Sequence, residues 1–143
     1  MIYIDTSSLL KLVVTDEHSA AVEEATLKEP IVVVSSLTDL EVYVQLRGLS
    51  RSGKMKPRLM RGAEKDLVQI LGSRPFTSRK LNATIFFNAL QQHKKSNTHC
   101  RSLDRLHLAA MEEMGVRRLM THDVRQSEAA QELGYEVVMP GVE

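Results

Sequence analysis

The sequence predicts a three-layer α/β/α domain built on a central parallel sheet. Three observations lead there. The run IVVV (Ile31–Val34) is β-branched and bare of polar residues, as in a parallel strand covered on both faces. Short apolar runs also occur at Ile2–Ile4, Arg117–Met120 and Glu136–Met139, and stretches of helical spacing separate them. Strands joined through helices require right-handed crossovers, which put helices on both faces of one sheet.

The elements follow in order. After Ile2–Ile4 and the hydroxyl run Thr6–Ser8, the apolar Leu9, Leu10, Leu12, Val13 and Val14 suit a short helix. Glu17–Leu27 reads as an amphipathic helix with an acidic outer face, stopped by Pro30. Ser35 and Ser36 can cap a helix from Leu37 to Arg51 that ends near Gly53. Pro57 starts another helix, reaching Leu71 before Gly72. A brief extended piece around Pro75–Phe76 precedes a helix expected over Ser78–Lys95. SNTHC (Ser96–Cys100) is a loop, Ser102 an N-cap for Leu103–Met114, and Gly115 the stop. Arg117–Met120 is a strand, Ser127–Leu133 a helix closed by Gly134, and Glu136–Met139 the last strand. No internal repeat or linker interrupts this order, so residues 1–143 are expected to form a single domain.

Composition narrows the class. With 43% hydrophobic and 26% charged residues, disorder is excluded as the default. One cysteine, Cys100, allows neither an internal disulfide nor a cysteine-based zinc site, and the five histidines form no HExxH pattern. The start carries no basic leader or cleavage site, and no apolar run approaches bilayer-spanning length. A soluble, cytoplasmic protein with no membrane attachment is expected.

The acids carry the functional question. In open parallel sheets ligands gather at the carboxyl ends of strands, where the strand order switches. Asp5 follows the first strand and Asp123 follows the strand ending at Met120, so both are expected at one sheet edge. Each also has a local explanation, since Asp5 and Asp123 can cap the helices behind them. Glu41, in LTDLEVYVQL, shares or borders an apolar stripe of Leu37, Leu40 and Val44. A solvated edge position explains it as well as a ligand role. Asp104 borders an inward stripe of Leu103, Leu106, Ala110 and Met114. In a first helical turn a carboxylate gains about 0.3–1 kcal/mol from the dipole with no ligand at all. If the four converge, their repulsion calls for a cation. Mg2+ or Mn2+ fits, as hard ions that accept carboxylate oxygens and water. Thr6, Ser7 and Thr121 stand near enough in sequence to orient the carboxylates by hydrogen bonds.

MIYIDTSSLLKL, Glu41 on a helix after a buried strand, RSLDRLHLAAM and LMTHDVRQSEAAQELGYEVVMPG together resemble PIN-domain ribonucleases of the VapC toxin type. The resemblance spans essentially the whole chain. It implies a PIN-like fold, metal-dependent endonuclease activity on RNA, homodimers, and a cognate antitoxin covering the active groove. By position it makes Asp5, Glu41, Asp104 and Asp123 the catalytic and metal-binding acids, accompanied by the hydroxyls of Ser7 and Thr121. His122, inside the T-x-D motif, and Arg125, just beyond it, depart from the pattern.

An acidic centre repels RNA unless cations flank it. Arg47, Arg51, Lys54, Lys56, Arg58 and Arg61 lie in one stretch without an acid, and a second group including Arg101 and Arg105 surrounds Asp104. Arg47, Arg51, Lys54, Arg101 and Arg105 are the expected phosphate contacts. Solvated helix ends, or an acidic antitoxin tail, explain the same charges. His122 is a candidate substrate contact, whereas His107, on the face of Asp104, is expected to be packed or hydrogen-bonded. A phosphoryl-transfer protein with a phosphorylated aspartate is a poorer match: Ser7 breaks the D-x-D pattern and no lysine follows Lys95. A non-catalytic PIN-fold module that binds RNA or protein is the alternative, and the complete acidic set argues against it.

Overall fold

A computed structural model describes all 143 residues of the chain. Five strands, β1 (Ile2–Ile4), β2 (Val32–Ser35), β3 (Phe76–Arg79), β4 (Arg118–Met120) and β5 (Glu136–Val138), form one sheet. The order is β3-β2-β1-β4-β5 and every neighbouring pair is parallel. The helices are α1 (Thr6–Leu9, continued by a tight turn over Leu10–Leu12), α2 (Ser19–Leu27), α3 (Ser36–Arg51) and α4 (Pro57–Leu71). They continue with α5 (Thr84–Lys95), α6 (Ser102–Met114) and α7 (Val124–Glu132).

Alternation along the strands separates the two cores, because successive side chains leave a strand on opposite faces. Ile2, Ile4, Val32, Val34 and Met120 face Val22 of α2, Val42 and Leu46 of α3, and Met60 and Leu67 of α4. Tyr3, Val33 and Leu119 face Leu108 and Met111 of α6 and Ala129 and Ala130 of α7. Both faces are therefore covered, which is why IVVV needs no polar residue. The helix α5 lies outside α6, with Ile85 and Ala89 on Ala109. No helix is long and apolar enough to cross a membrane.

The chain winds outward from β1 to β3, then returns to the other side of β1 as β4. The carboxyl ends of β1 and β4 thus flank the point where strand order reverses, the usual place for a ligand in such sheets.

Several expected boundaries move. The helix predicted from Ser78 begins at Thr84, because Ser78 and Arg79 extend β3 and pair with Val34 and Ser35. Strand pairing satisfies backbone groups that a serine cap would otherwise have served. Ser102 is the first residue of α6 instead of its cap; Arg101 holds that position without a side-chain cap bond. Asp123 caps α7, which starts at Val124, three residues before the expected Ser127. The inward stripe of α6 is also different. Leu103 is 48% exposed, while Arg105 and His107–Met111 are buried, because this helix is covered by the sheet on one side and α5 on another. On α3, Leu40 and Val44 face solvent, and the core side is Thr38, Val42 and Leu46. Leu108→Ala should cost about 2–5 kcal/mol of stability, whereas Leu40→Ser should stay within about 0.5 kcal/mol. Urea denaturation of both variants checks this assignment of helix faces, and similar losses from the two would contradict it.

Candidate active site

Asp5 lies at the end of β1 and is only 4% exposed. Its backbone N–H donates to the Met120 carbonyl at 3.1 Å, which fastens the β1 exit to the β4 exit. Oδ1 caps α1, accepting from the Ser8 N–H at 3.1 Å and from Ser7 Oγ at 2.7 Å. Oδ2 accepts from Thr121 Oγ1 at 2.5 Å, across the switch point. Burial holds the Asp5 carboxyl above its ordinary range, although Thr121, the nearby His107, Ser7 and Ser8 all pull it down.

Glu41 reaches the same edge from the second turn of α3. Its Oε1 accepts from Thr6 Oγ1 at 3.0 Å and from His107 Nε2 at 2.5 Å, and its Oε2 has no protein partner. Of the stripe beside Glu41, Leu40 and Val44 face solvent and Leu37 is half-buried; what places this residue is the buried imidazole of α6. His107 Nδ1 lies 2.7 Å from the Tyr3 hydroxyl, which lies 2.6 Å from Ser35 Oγ. Nε2 donates to the Glu41 carboxylate, and Nδ1 shares a hydrogen bond with the Tyr3 hydroxyl. Ser35 Oγ, which accepts from the Thr38 N–H at 3.2 Å, shares the next hydrogen bond with Tyr3. A buried relay runs from Ser35 through Tyr3 and His107 to Glu41. Burial pushes the Tyr3 phenol well above its ordinary pKa, so it stays a donor. For Glu41, burial pulls the pKa up, but His107, Thr6 and Arg101 together outweigh it and leave the carboxyl below its ordinary value.

Asp104 and Asp123 complete the edge. Asp123 caps α7, its Oδ1 accepting from the N–H groups of Arg125 at 2.9 Å and Gln126 at 3.2 Å. Its Oδ2 accepts from Arg101 Nη2 at 3.0 Å, while Arg101 Nε donates to Asp104 Oδ2 at 2.7 Å. One guanidinium therefore spans two of the carboxylates. The expected convergence is correspondingly incomplete: no three His, Cys, Asp or Glu side chains stand together as a ready-made metal group. The donor chemistry nevertheless suits a hard divalent ion. Glu41 Oε2 and Asp104 Oδ1 are without protein partners, and Oδ2 of Asp104 and of Asp123 already hold a cation, the Arg101 guanidinium.

The other expected residues divide. Thr6, Ser7 and Thr121 all donate to site carboxylates. Arg105 is corrected: at 3% exposure it cannot meet an RNA phosphate, and its Nη2 donates to Ser96 Oγ at 2.9 Å inside the fold. Ser96 and the Asn97 N–H in turn bind Glu132, whose carboxyl is drawn down to about 2 by Ser96, Asn97 and Thr98. These contacts anchor the loop that carries Arg101. Arg47 forms a two-pronged pair with Glu64 of α4, while Arg51 and Lys54 are exposed beyond it. His122 has both ring nitrogens engaged within the fold: Nε2 donates to the Pro140 carbonyl and Nδ1 accepts from Ser8 Oγ. The part of Tyr3 is what sequence reasoning missed. Its signal was a phenol alone in a strand covered on both faces, which needs a buried partner.

The sheet order, the two helix layers and the acids at the strand exits define a PIN-like α/β domain. The PIN domain family model matches residues 2–132, and the chain belongs to that family. Its fold is similar to that of VapC20 from Mycobacterium tuberculosis, a sarcin-ricin loop cleaving toxin (20% identity, 98% of this chain and 100% of that chain covered, TM-score 0.72). It is also similar to FitAcB from Neisseria gonorrhoeae (18% identity, 98% of each chain, TM-score 0.73). A third similar structure is VapBC2 from Rickettsia felis, bound to a DNA fragment from their promoter (13% identity, 96% and 98% covered, TM-score 0.68). At these identities the likeness is one of fold. No protein of curated function matches the sequence significantly.

The raised Asp5 pKa has a consequence for stability. A carboxyl raised in the fold contributes stability while protonated and loses it as the pH climbs through its folded value. Glu41, lowered, contributes above its ordinary value and loses that share on acidification. In EDTA, Asp5→Asn should therefore gain on the wild type as pH rises from about 4. Melting curves across the pH range test it, and parallel curves for the two proteins would contradict it.

Proposed function

We propose that the protein is a metal-dependent endoribonuclease that hydrolyses RNA phosphodiester bonds at the edge formed by Asp5, Glu41, Asp104 and Asp123. Mg2+ is the proposed cofactor, with Mn2+ as a substitute. The observation that carries this reading is a set of carboxylates at the switch point in which Glu41, Asp104 and Asp123 have oxygens that are free or held by a single guanidinium. The fold it shares with VapC20, described as a sarcin-ricin loop cleaving toxin, supports RNA as the substrate class. Its likeness to VapBC2 supports the further reading as the toxin of a type II pair with a cognate antitoxin; action in the cytoplasm as a homodimer is part of the same proposal.

When bound there, the metal supplies an activated water and stabilises charge on the phosphoryl group. The protein's share is positioning. Thr121, Ser7 and the Ser8 N–H hold Asp5 in one orientation. Thr6 and His107 pin Glu41 through Oε1 and leave Oε2 facing outward. The α7 N–H groups hold Asp123 through Oδ1 and leave Oδ2 available. Glu41 and Asp123 are thus fixed through one oxygen and offer the other, while Asp5 is held through both and anchors the edge, so little ordering is left for the moment of reaction.

Incubation with a broad RNA panel tests the reading. Cleavage should require Mg2+ or Mn2+, stop in EDTA, and fall at least 100-fold in a folded Asp5→Asn variant. Binding without cleavage by the metal-supplied wild type would favour the non-catalytic module, and full activity in excess EDTA would end the proposed mechanism. The basic end of α3 offers a separate check. Arg51 and Lys54 are proposed to line one wall of the RNA groove, with Arg47 diverted partly to Glu64. Replacing both with glutamate should weaken RNA binding and lower the dependence of log K on log salt by roughly 0.7 per lost phosphate contact. An unchanged slope would remove these residues from the groove.

A further inference from the structure

Resting on the metal-dependent reading, we propose that Arg101 is the site's internal counter-ion: it bridges Asp104 and Asp123 in the metal-free protein and is exchanged for the divalent cation on loading. The two carboxylates it bridges belong to different elements, one in the first turn of α6 and one at the exit of β4. Arg101 takes Oδ2 of each, at 2.7 and 3.0 Å. Asp104 has no other side-chain partner, and the second oxygen of Asp123 is committed to capping α7. Asp104 keeps Oδ1 free, but an ion drawing on Asp123 needs the Oδ2 that the guanidinium occupies, so the two cations compete for the pair.

The bridge is also built to open. The Arg101 side chain is 60% exposed, whereas those of Asp104 and Asp123 are 14% and 28% exposed, so the acids are set in the surface and the arginine lies over them. Arg101 precedes α6 and makes no side-chain cap bond. Its carbonyl accepts from the Arg105 N–H at 2.9 Å, and the loop before it is tied to Glu132. The backbone can therefore stay in place while the side chain swings into solvent. Exposed ion pairs are individually weak, and a cation with one charge leaves two acids undercompensated. A divalent ion therefore displaces it, but its apparent affinity is lowered by the fraction of molecules in which the bridge is closed. Arg101 is the one arginine whose ion pairs reach two of the four acids; Arg47 and Arg118 are paired with Glu64, Glu29 and Glu136 elsewhere. Lysine cannot reproduce a two-pronged bridge, because an ammonium lacks the planar fork.

The test is Mn2+ binding by isothermal titration calorimetry, with melting curves in EDTA and in Mn2+, on the wild type, Arg101→Met and Arg101→Lys. Arg101→Met should bind Mn2+ roughly three- to tenfold more tightly than the wild type, with Arg101→Lys between them. In EDTA Arg101→Met should melt lower, since the acids lose their counter-ion, and it should gain more on adding Mn2+. A merely structural arginine would lower both melting points alike. Equal Mn2+ affinities and equal melting gains would overturn the exchange and leave the metal reading standing. Weaker binding by Arg101→Met would make Arg101 a support for the carboxylates, which also overturns it. No Mn2+ binding by any of the three proteins would overturn the metal reading and the exchange together.

Discussion

The arrangement depends on one constraint: Asp5 is a carboxylate buried at the seam between β1 and β4, and it must be compensated there. Burying an ionised carboxyl costs several kcal/mol even after relaxation. A hydrogen bond to a charged group returns about 1.5–3 kcal/mol. Thr121, Ser7 and the Ser8 N–H supply three such bonds, which come close to offsetting the burial. That its pKa stays above the ordinary range means the offset is incomplete. The hydroxyl of Ser7 after β1 and the threonine after β4 are therefore needed by the same carboxylate, one at each oxygen, and that carboxylate joins the two halves of the sheet.

This explains why the opposition between capping and ligand roles dissolves. Asp5 and Asp123 both cap helices, as local reasoning expected of aspartate at those positions. A carboxylate has two oxygens, however, and a short cap fully occupies one. In Asp123 the cap takes Oδ1 and leaves Oδ2 to a cation. The cap fixes the rotamer, so local helix chemistry is what aims the outer oxygen. Capping here is part of the preorganisation of the site.

Much of the architecture was legible because it rests on periodicity and strand exits. The parallel sheet, its covered faces and the meeting of Asp5 with the β4 exit all follow from runs such as IVVV and from the placing of acids just past strands. What was illegible depends on which neighbour wins. Ser78 pairs with β2 although its residue type suits a helix start. Arg105 is buried because α5 covers that side of α6, and nothing in RSLDRLHLAAM announces a second covered face. Glu41 was noticed for a stripe whose Leu40 and Val44 proved to be solvent-facing, yet it reaches the site through His107, 66 residues away in sequence. Pair contacts at that separation leave no periodic trace.

The relay behind Glu41 shows how the core of the sheet enters the chemistry of its edge. Tyr3 is the middle residue of the central strand, and its ring packs in the core beneath α6 and α7. Its hydroxyl bonds both Ser35 Oγ and His107 Nδ1, so the imidazole is held from the core side. Ser35, itself held by the α3 backbone as an N-cap, fixes the far end of the chain. Glu41 consequently meets a donor at Oε1 and keeps its second oxygen outward. Whatever cation completes the edge meets a carboxylate whose orientation was settled by the packing of β1.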